Sequence, residues 1–137
     1  MTALTRTALL SPTRGMGLYL AAILLLTGCA APNGTSEIAA EPDVIVTLSA
    51  QGREFYRNGE PNPDIVVSRG DTVRVDLAVT AGRHNWSLDH YDVSTATVAS
   101  GTMASVTFVA DQAGEFEYYC GVTWHREEGM VGTFIVE

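Results

Sequence analysis

The chain has 137 residues, eight arginines and no lysine against 16 acids, for a formal charge of −8. From residue 29 onward six arginines face all 16 acids, a formal charge of −10. Such a balance argues against nucleic-acid binding and against electrostatic docking on anionic lipid. It suits steering toward a basic partner or plain solubility, and the length argues for one domain.

The N-terminus reads as a processing signal. Met1 to Gly15 carries Arg6 and Arg14 and no acid, and Met16 to Leu26 is an apolar run. That run is shorter than the roughly 20 residues a membrane span needs. The junction Leu26-Thr27-Gly28-Cys29 resembles a bacterial lipoprotein lipobox. The resemblance implies that Cys29 becomes the lipid-bearing first residue of an exported chain. That chain would be anchored to a bacterial membrane, in the periplasm or on the outer face of the cell membrane. An uncleaved signal anchor is the alternative. Arg6 and Arg14 are not adjacent, so nothing suggests twin-arginine export. Residues 29–42, rich in Ala, Pro, Gly and Ser, read as a flexible tether with a mean reach of roughly 20 Å.

From Asp43 onward the apolar period is two, with β-branched and aromatic residues, which marks half-buried strands. Val44, Val46 and Leu48 alternate with Ile45 and Thr47, and Val73, Val75, Leu77 and Val79 with Thr72, Arg74, Asp76 and Ala78. Val106 and Phe108 repeat the pattern, as do Phe116, Tyr118 and Cys120. Met103 opens a strand and is expected in the core. Turn chemistry interrupts the runs at Asn58-Gly59, Pro61-Asn62-Pro63, Arg69-Gly70-Asp71, Ala81-Gly82, Ser100-Gly101 and Ala113-Gly114. A helical turn fits within 89–100, but no long stretch keeps a helical period. The expected class is all-β, a Greek-key sandwich or barrel over residues 43–137 with one modest core.

The richest segment is Cys120-Gly-Val-Thr-Trp-His125-Arg-Glu-Glu-Gly-Met130. It places a thiolate, an imidazole and a thioether on one loop. His84 shares a strand face with Trp86 and Leu88, which favour the interior, and Cys120 shares one with Phe116 and Tyr118. Two histidines, one cysteine and a weak axial methionine are the donor set of a blue-copper centre. Taken singly, each residue has a blander reading as core or structure. A disulfide between Cys29 and Cys120 is the bland reading of the two cysteines. His90, among Asp89, Tyr91 and Asp92, is an outside candidate for the first histidine and reads as loop.

Four stretches together resemble the plastocyanin/azurin (cupredoxin) family over residues 43–137. They are Asp64-Ile-Val-Val-Ser-Arg-Gly-Asp-Thr-Val-Arg-Val, His84-Asn-Trp-Ser-Leu, Gly114-Glu-Phe-Glu-Tyr-Tyr-Cys120 and His125-Arg-Glu-Glu-Gly-Met130-Val-Gly. The resemblance implies one type 1 copper ion, with His84, Cys120 and His125 in the plane and Met130 axial. It implies that Asn85 ties together the loops beneath the metal. The N–H groups of Asn85 and Val122 would donate to the sulfur, and His125 would serve as the electron port. Many relatives have Pro-Gly before the second histidine, where this chain has Thr123-Trp124. Trp124 there would widen the docking patch, cover the port, or simply pack on the loop. Glu127 and Glu128 read first as solvated charges.

The expected function is one-electron transfer between membrane-associated or extracytoplasmic redox proteins, by a monomer held through lipid on Cys29. The alternative is a copper storage or delivery lipoprotein, which the absence of a Met/His-rich stretch disfavours. An enzyme is not expected, because an oxidase or nitrite reductase needs further copper sites and the chain has three histidines. A dinuclear site would need two cysteines in the loop.

Overall fold

The computed structural model describes residues 41–137. The expected signal peptide, Cys29 and the expected tether up to residue 40 lie outside the described residues. Twelve strands follow one another: β1 (Val44–Gln51), β2 (Glu54–Arg57), β3 (Glu60–Pro61), β4 (Ile65–Val67), β5 (Thr72–Val79), β6 (Arg83–His84), β7 (Ser87–Leu88), β8 (Val93–Ser94), β9 (Val98–Ala99), β10 (Thr102–Val109), β11 (Gly114–Tyr119) and β12 (Val131–Val136). A 3-10 turn, Asp89–Tyr91, falls where a helical turn was expected. Among the described residues no helix is long and apolar enough to cross a membrane.

The strands form two five-stranded sheets, ordered β10-β5-β1-β2-β3 and β4-β12-β11-β7-β8, with a small β6-β9 ribbon. Each sheet has one parallel pair, β1 with β5 and β4 with β12, so the chain crosses between sheets rather than meandering. The tight β2–β3 turn takes Asn58 and Gly59 at φ 52° and 86°. Positive φ at both positions matches the twist of a two-residue hairpin, and Asn-Gly is the pair best suited to it.

The alternating residues meet between the sheets. Val46, Leu48, Val73, Val75, Leu77, Phe108, Ile65, Tyr118 and Phe134 are buried there. Trp86 lies among them with its ring centroid 5.8 Å from Tyr118, 6.1 Å from Phe108 and 6.3 Å from Phe134. Loss of so large a buried side chain typically costs about 3–5 kcal/mol. That burial anchors the short connection between β6 and β7, directly after His84 and Asn85.

One expectation needs correction. Met103 is 63% exposed and not in the core. In β10 it has the phase of Ser105, Thr107 and Val109, opposite to Val106 and Phe108, so strand alternation turns it outward. Asp76 has the polar phase of β5 yet is buried. Arg74 grips its carboxylate through two bonds of 2.8 and 2.9 Å, and the Ser105 hydroxyl donates a third at 2.6 Å. The Arg74 bond holds the Asp76 carboxyl below its ordinary pKa, against the effect of burial.

Candidate metal centre

Strand register builds the site. Tyr119 of β11 is opposite Ser87 of β7 on one side and Val131 of β12 on the other. One step further, Cys120 therefore lies beside the His84-Asn85-Trp86 segment and opposite Met130. The Cys120 N–H donates to the Met130 carbonyl at 3.1 Å. Residues 121–129 are thus the loop of the β11–β12 hairpin, closed at its base by that bond. Inside the loop, turns carry His125 back: its N–H donates to the Val122 carbonyl at 3.0 Å, and Met130 N–H donates to the His125 carbonyl at 2.9 Å.

The donor atoms of His84, Cys120 and His125 all lie within 4.8 Å of one another. Cys120 Sγ is 3.7 Å from His84 Nδ1 and 3.4 Å from His125 Nδ1. An ion at first-row metal distances of about 2.0–2.3 Å from two donors at a trigonal angle separates them by about 3.5–4.0 Å. The three side chains are buried, and Met130, five residues after His125, is fully buried in the same core. His90 is elsewhere: it is exposed, stacks on Phe116 at 3.9 Å and meets Gln112 Oε1 at 3.1 Å.

The neighbouring groups orient the donors. His84 Nε2 donates to the Ala81 carbonyl at 3.0 Å, which leaves the Nδ1 lone pair facing the sulfur. Asn85 Oδ1 accepts the Gly121 N–H at 2.7 Å, and its Nδ2 donates to Ser87 Oγ at 3.0 Å, so Asn85 ties the two ligand segments as expected. The sulfur's partners are the two imidazoles and Asn85 Oδ1 at 3.7 Å; the N–H groups of Asn85 and Val122 are not among them. Burial draws the pKa of His84 below its ordinary value, opposed in part by the Ala81 bond. Burial and then the Arg53 cation do the same to His125. Both rings are therefore neutral near pH 7 and ready to bind a metal without releasing a proton.

His125 is only 8% exposed. Its edge opens into a depression of about 330 Å³ lined also by Gly52, Arg53, Gly82, Arg83 and Val122. Trp124 does not cover this opening: it is 68% exposed, and its backbone is left-handed at φ 67°. Glu127 and Glu128 are both exposed as expected, and Glu128 also pairs with Arg53 at the surface. Arg126 bonds Glu117 and lies 3.9 Å over the Tyr119 ring. Arg53, Asn62 and the Ala81 carbonyl had no signal in the local pattern, because each reaches the site from far along the chain or through backbone.

Comparison with known proteins agrees with this geometry. The model of a family described as multicopper oxidase matches residues 65–137, the span that holds all four candidate donors. No curated protein matches the sequence. Among solved structures, auracyanin from Roseiflexus castenholzii aligns over 71% of this chain and 99% of its own at 16% identity, TM-score 0.58. Rusticyanin from Thiobacillus ferrooxidans aligns over 71% of this chain and 79% of its own at 20% identity, TM-score 0.59. Auracyanin A, a "blue" copper protein of Chloroflexus aurantiacus, aligns over 68% of this chain and 98% of its own at 18% identity, TM-score 0.56. At these identities the likeness establishes the cupredoxin fold. Within that fold, His84, Cys120 and His125 bring a thiolate and two imidazoles within reach of one ion, a donor set that suits copper.

Proposed function

We propose, from the premise that this chain belongs to the multicopper oxidase family, that it is a type 1 copper protein carrying single electrons and not itself an oxidase. The observation that carries the reading is the buried Nδ1–Sγ–Nδ1 triangle of His84, Cys120 and His125. With Met130 these residues would hold one copper ion, which supplies one-electron exchange between its cuprous and cupric states. Three histidines in this chain leave too few ligands for the additional copper sites of an oxidase.

The protein's own contribution is a fixed frame. The Ala81 bond sets the His84 ring and the Asn85 tie sets the base of the Cys120 loop, so little has to rearrange when the charge changes. Electrons would enter and leave at the His125 edge. Exported location, lipid on Cys29 and redox-protein partners complete the proposal; the acidic composition favours a partner with a basic face. A storage or delivery role is disfavoured, since a buried thiolate site releases copper slowly.

The test is the optical and EPR spectrum of a soluble form beginning at Ala30, loaded with copper. An intense blue thiolate-to-copper band with narrow copper hyperfine splitting is expected. A colourless complex overturns the reading. Met130→Leu should keep the colour and raise the reduction potential, because the lost thioether supported the cupric state more than the cuprous one.

Trp124 belongs to the docking part of this proposal. A left-handed backbone costs a non-glycine residue roughly 1–2 kcal/mol, and the side chain recovers little by packing, being 68% exposed. Strain kept at an exposed aromatic beside the port points to contact with a partner. Trp124→Gly should raise the stability of the metal-free protein by about 1 kcal/mol, whereas Trp124→Ala should not. Equal urea midpoints for the two variants would count against the strain argument.

A further inference from the structure

The closing loop is gripped by a hairpin that supplies no ligand. β11 and β12 carry the loop, but two contacts to its last residues come from the other sheet. Arg53, just before β2, pairs with Glu128, and Asn62, just after β3, donates from Nδ2 to the Gly129 carbonyl at 3.1 Å. The orientation of the Asn62 amide is settled at both ends. Its Oδ1 accepts the Phe55 N–H at 2.9 Å, which leaves Nδ2 for Gly129. The Asn62 N–H closes the same turn on the Phe55 carbonyl at 2.7 Å. Phe55 is fully buried, so this amide is registered to the core.

The Gly129 carbonyl also accepts the Val131 N–H at 2.8 Å. Core-anchored Asn62 and β12 therefore hold the same peptide, the one that leads directly into Met130. A thioether is a weak, long axial ligand. Its approach is governed less by its own bond than by where the backbone puts its α-carbon.

We propose that Asn62 is a positioning residue for the axial ligand: the β2–β3 hairpin, through the Asn62–Gly129 bond, sets how closely the Met130 sulfur approaches the His84–Cys120–His125 plane. The inference rests on the type 1 copper reading above. It makes the first sheet, which carries none of the four donors, a tuner of the reduction potential.

Asn62→Asp is the discriminating variant. A carboxylate of the same shape still accepts the Phe55 N–H and tolerates the φ of 45°. It has no hydrogen to give Gly129 and opposes that carbonyl with a second oxygen. The copper-loaded full-length chain should stay blue. Its EPR rhombicity and the relative intensity of its two thiolate bands should change, and a cuprous chelator should remove copper about 10-fold faster. In the metal-free chain the Met130 and Val131 amides should exchange faster while Phe55 N–H stays protected. Asn58→Asp, at the tip of the same hairpin, controls for the added charge and should leave band ratio and rhombicity alone. Spectra and copper release like the wild type, or changes equalled by Asn58→Asp, overturn the proposal. A colourless wild-type complex would defeat the copper reading instead, and amide exchange in the metal-free chain would still decide whether Asn62 grips the loop.

Discussion

Cys120→Ser is expected to remove the blue colour completely and to leave the metal-free fold nearly as stable as before. Cys120 is fully buried, with its sulfur 3.4 Å from His125 Nδ1 and 3.7 Å from His84 Nδ1. The colour of such a centre arises from charge transfer out of a thiolate, and a serine oxygen neither ionises readily nor shares electrons softly. Two imidazoles and a thioether remain, so copper affinity should fall by more than the 10–100-fold that loss of an outer partner costs. The hydroxyl is slightly smaller than the thiol and has Asn85 Oδ1 near it as an acceptor, so the core need not collapse. Visible absorption, a copper titration and a melt of the metal-free protein check the three parts. A serine variant that kept the band would show that the thiolate is not its source. Collapse of the metal-free fold would show Cys120 to be structural first.

Gly132→Ala should be the most damaging small change to stability. A Cβ at 132 would stand 2.3 Å from both Cζ and Oη of Tyr118. No real Cβ comes so close, and the obstacle is a ring locked in the core. Tyr118 is fully buried, packs 5.4 Å from Phe55 and 5.8 Å from Trp86, and donates its hydroxyl to the Pro63 carbonyl at 2.7 Å. Burial pushes its phenol pKa well above the ordinary value, so the hydroxyl stays a donor at any working pH. Making room means moving the ring and breaking that bond. Overpacking costs about 1–3 kcal/mol, and an orphaned buried carbonyl about 1–3 more. A total of about 2–6 kcal/mol is a large share of the 5–15 kcal/mol typical of a domain. It corresponds to a drop of at least about 8 °C in melting temperature at this size. Urea denaturation of the metal-free protein measures it. Tyr118→Phe in the same chain removes one of the clashing atoms, so the double variant should be more stable than the sum of the two changes predicts. A variant within 0.5 kcal/mol of wild type, on the scale of an ordinary surface change, would mean that the ring has room to move.

Much of the frame was legible locally. The Val73–Val79 alternation, the Asn58-Gly59 hairpin and the Cys120-x4-His125 spacing each follow from near neighbours in the chain. Met103 shows the same rule applied inconsistently: its phase relative to Phe108 already turned it outward. Asp76 shows where the rule ends, since its burial depends on Arg74 two residues away and Ser105 on another strand. The clasp of Arg53 on Glu128 and of Asn62 on Gly129 spans 75 and 67 residues of chain. No pattern within a strand points across such a separation.

The order of the chain alone determined the chemical kinds of the four donors and the inward phase of His84 and Cys120, because side-chain period and turn preference are set by sterics between adjacent residues. Tertiary structure alone decided that Nδ1 faces the sulfur on both rings, that His125 is recessed beside Arg53, and that the opposite sheet grips the loop before Met130. Those features depend on how two sheets pack and register, and packing brings together groups whose positions along the polymer have no relation to one another.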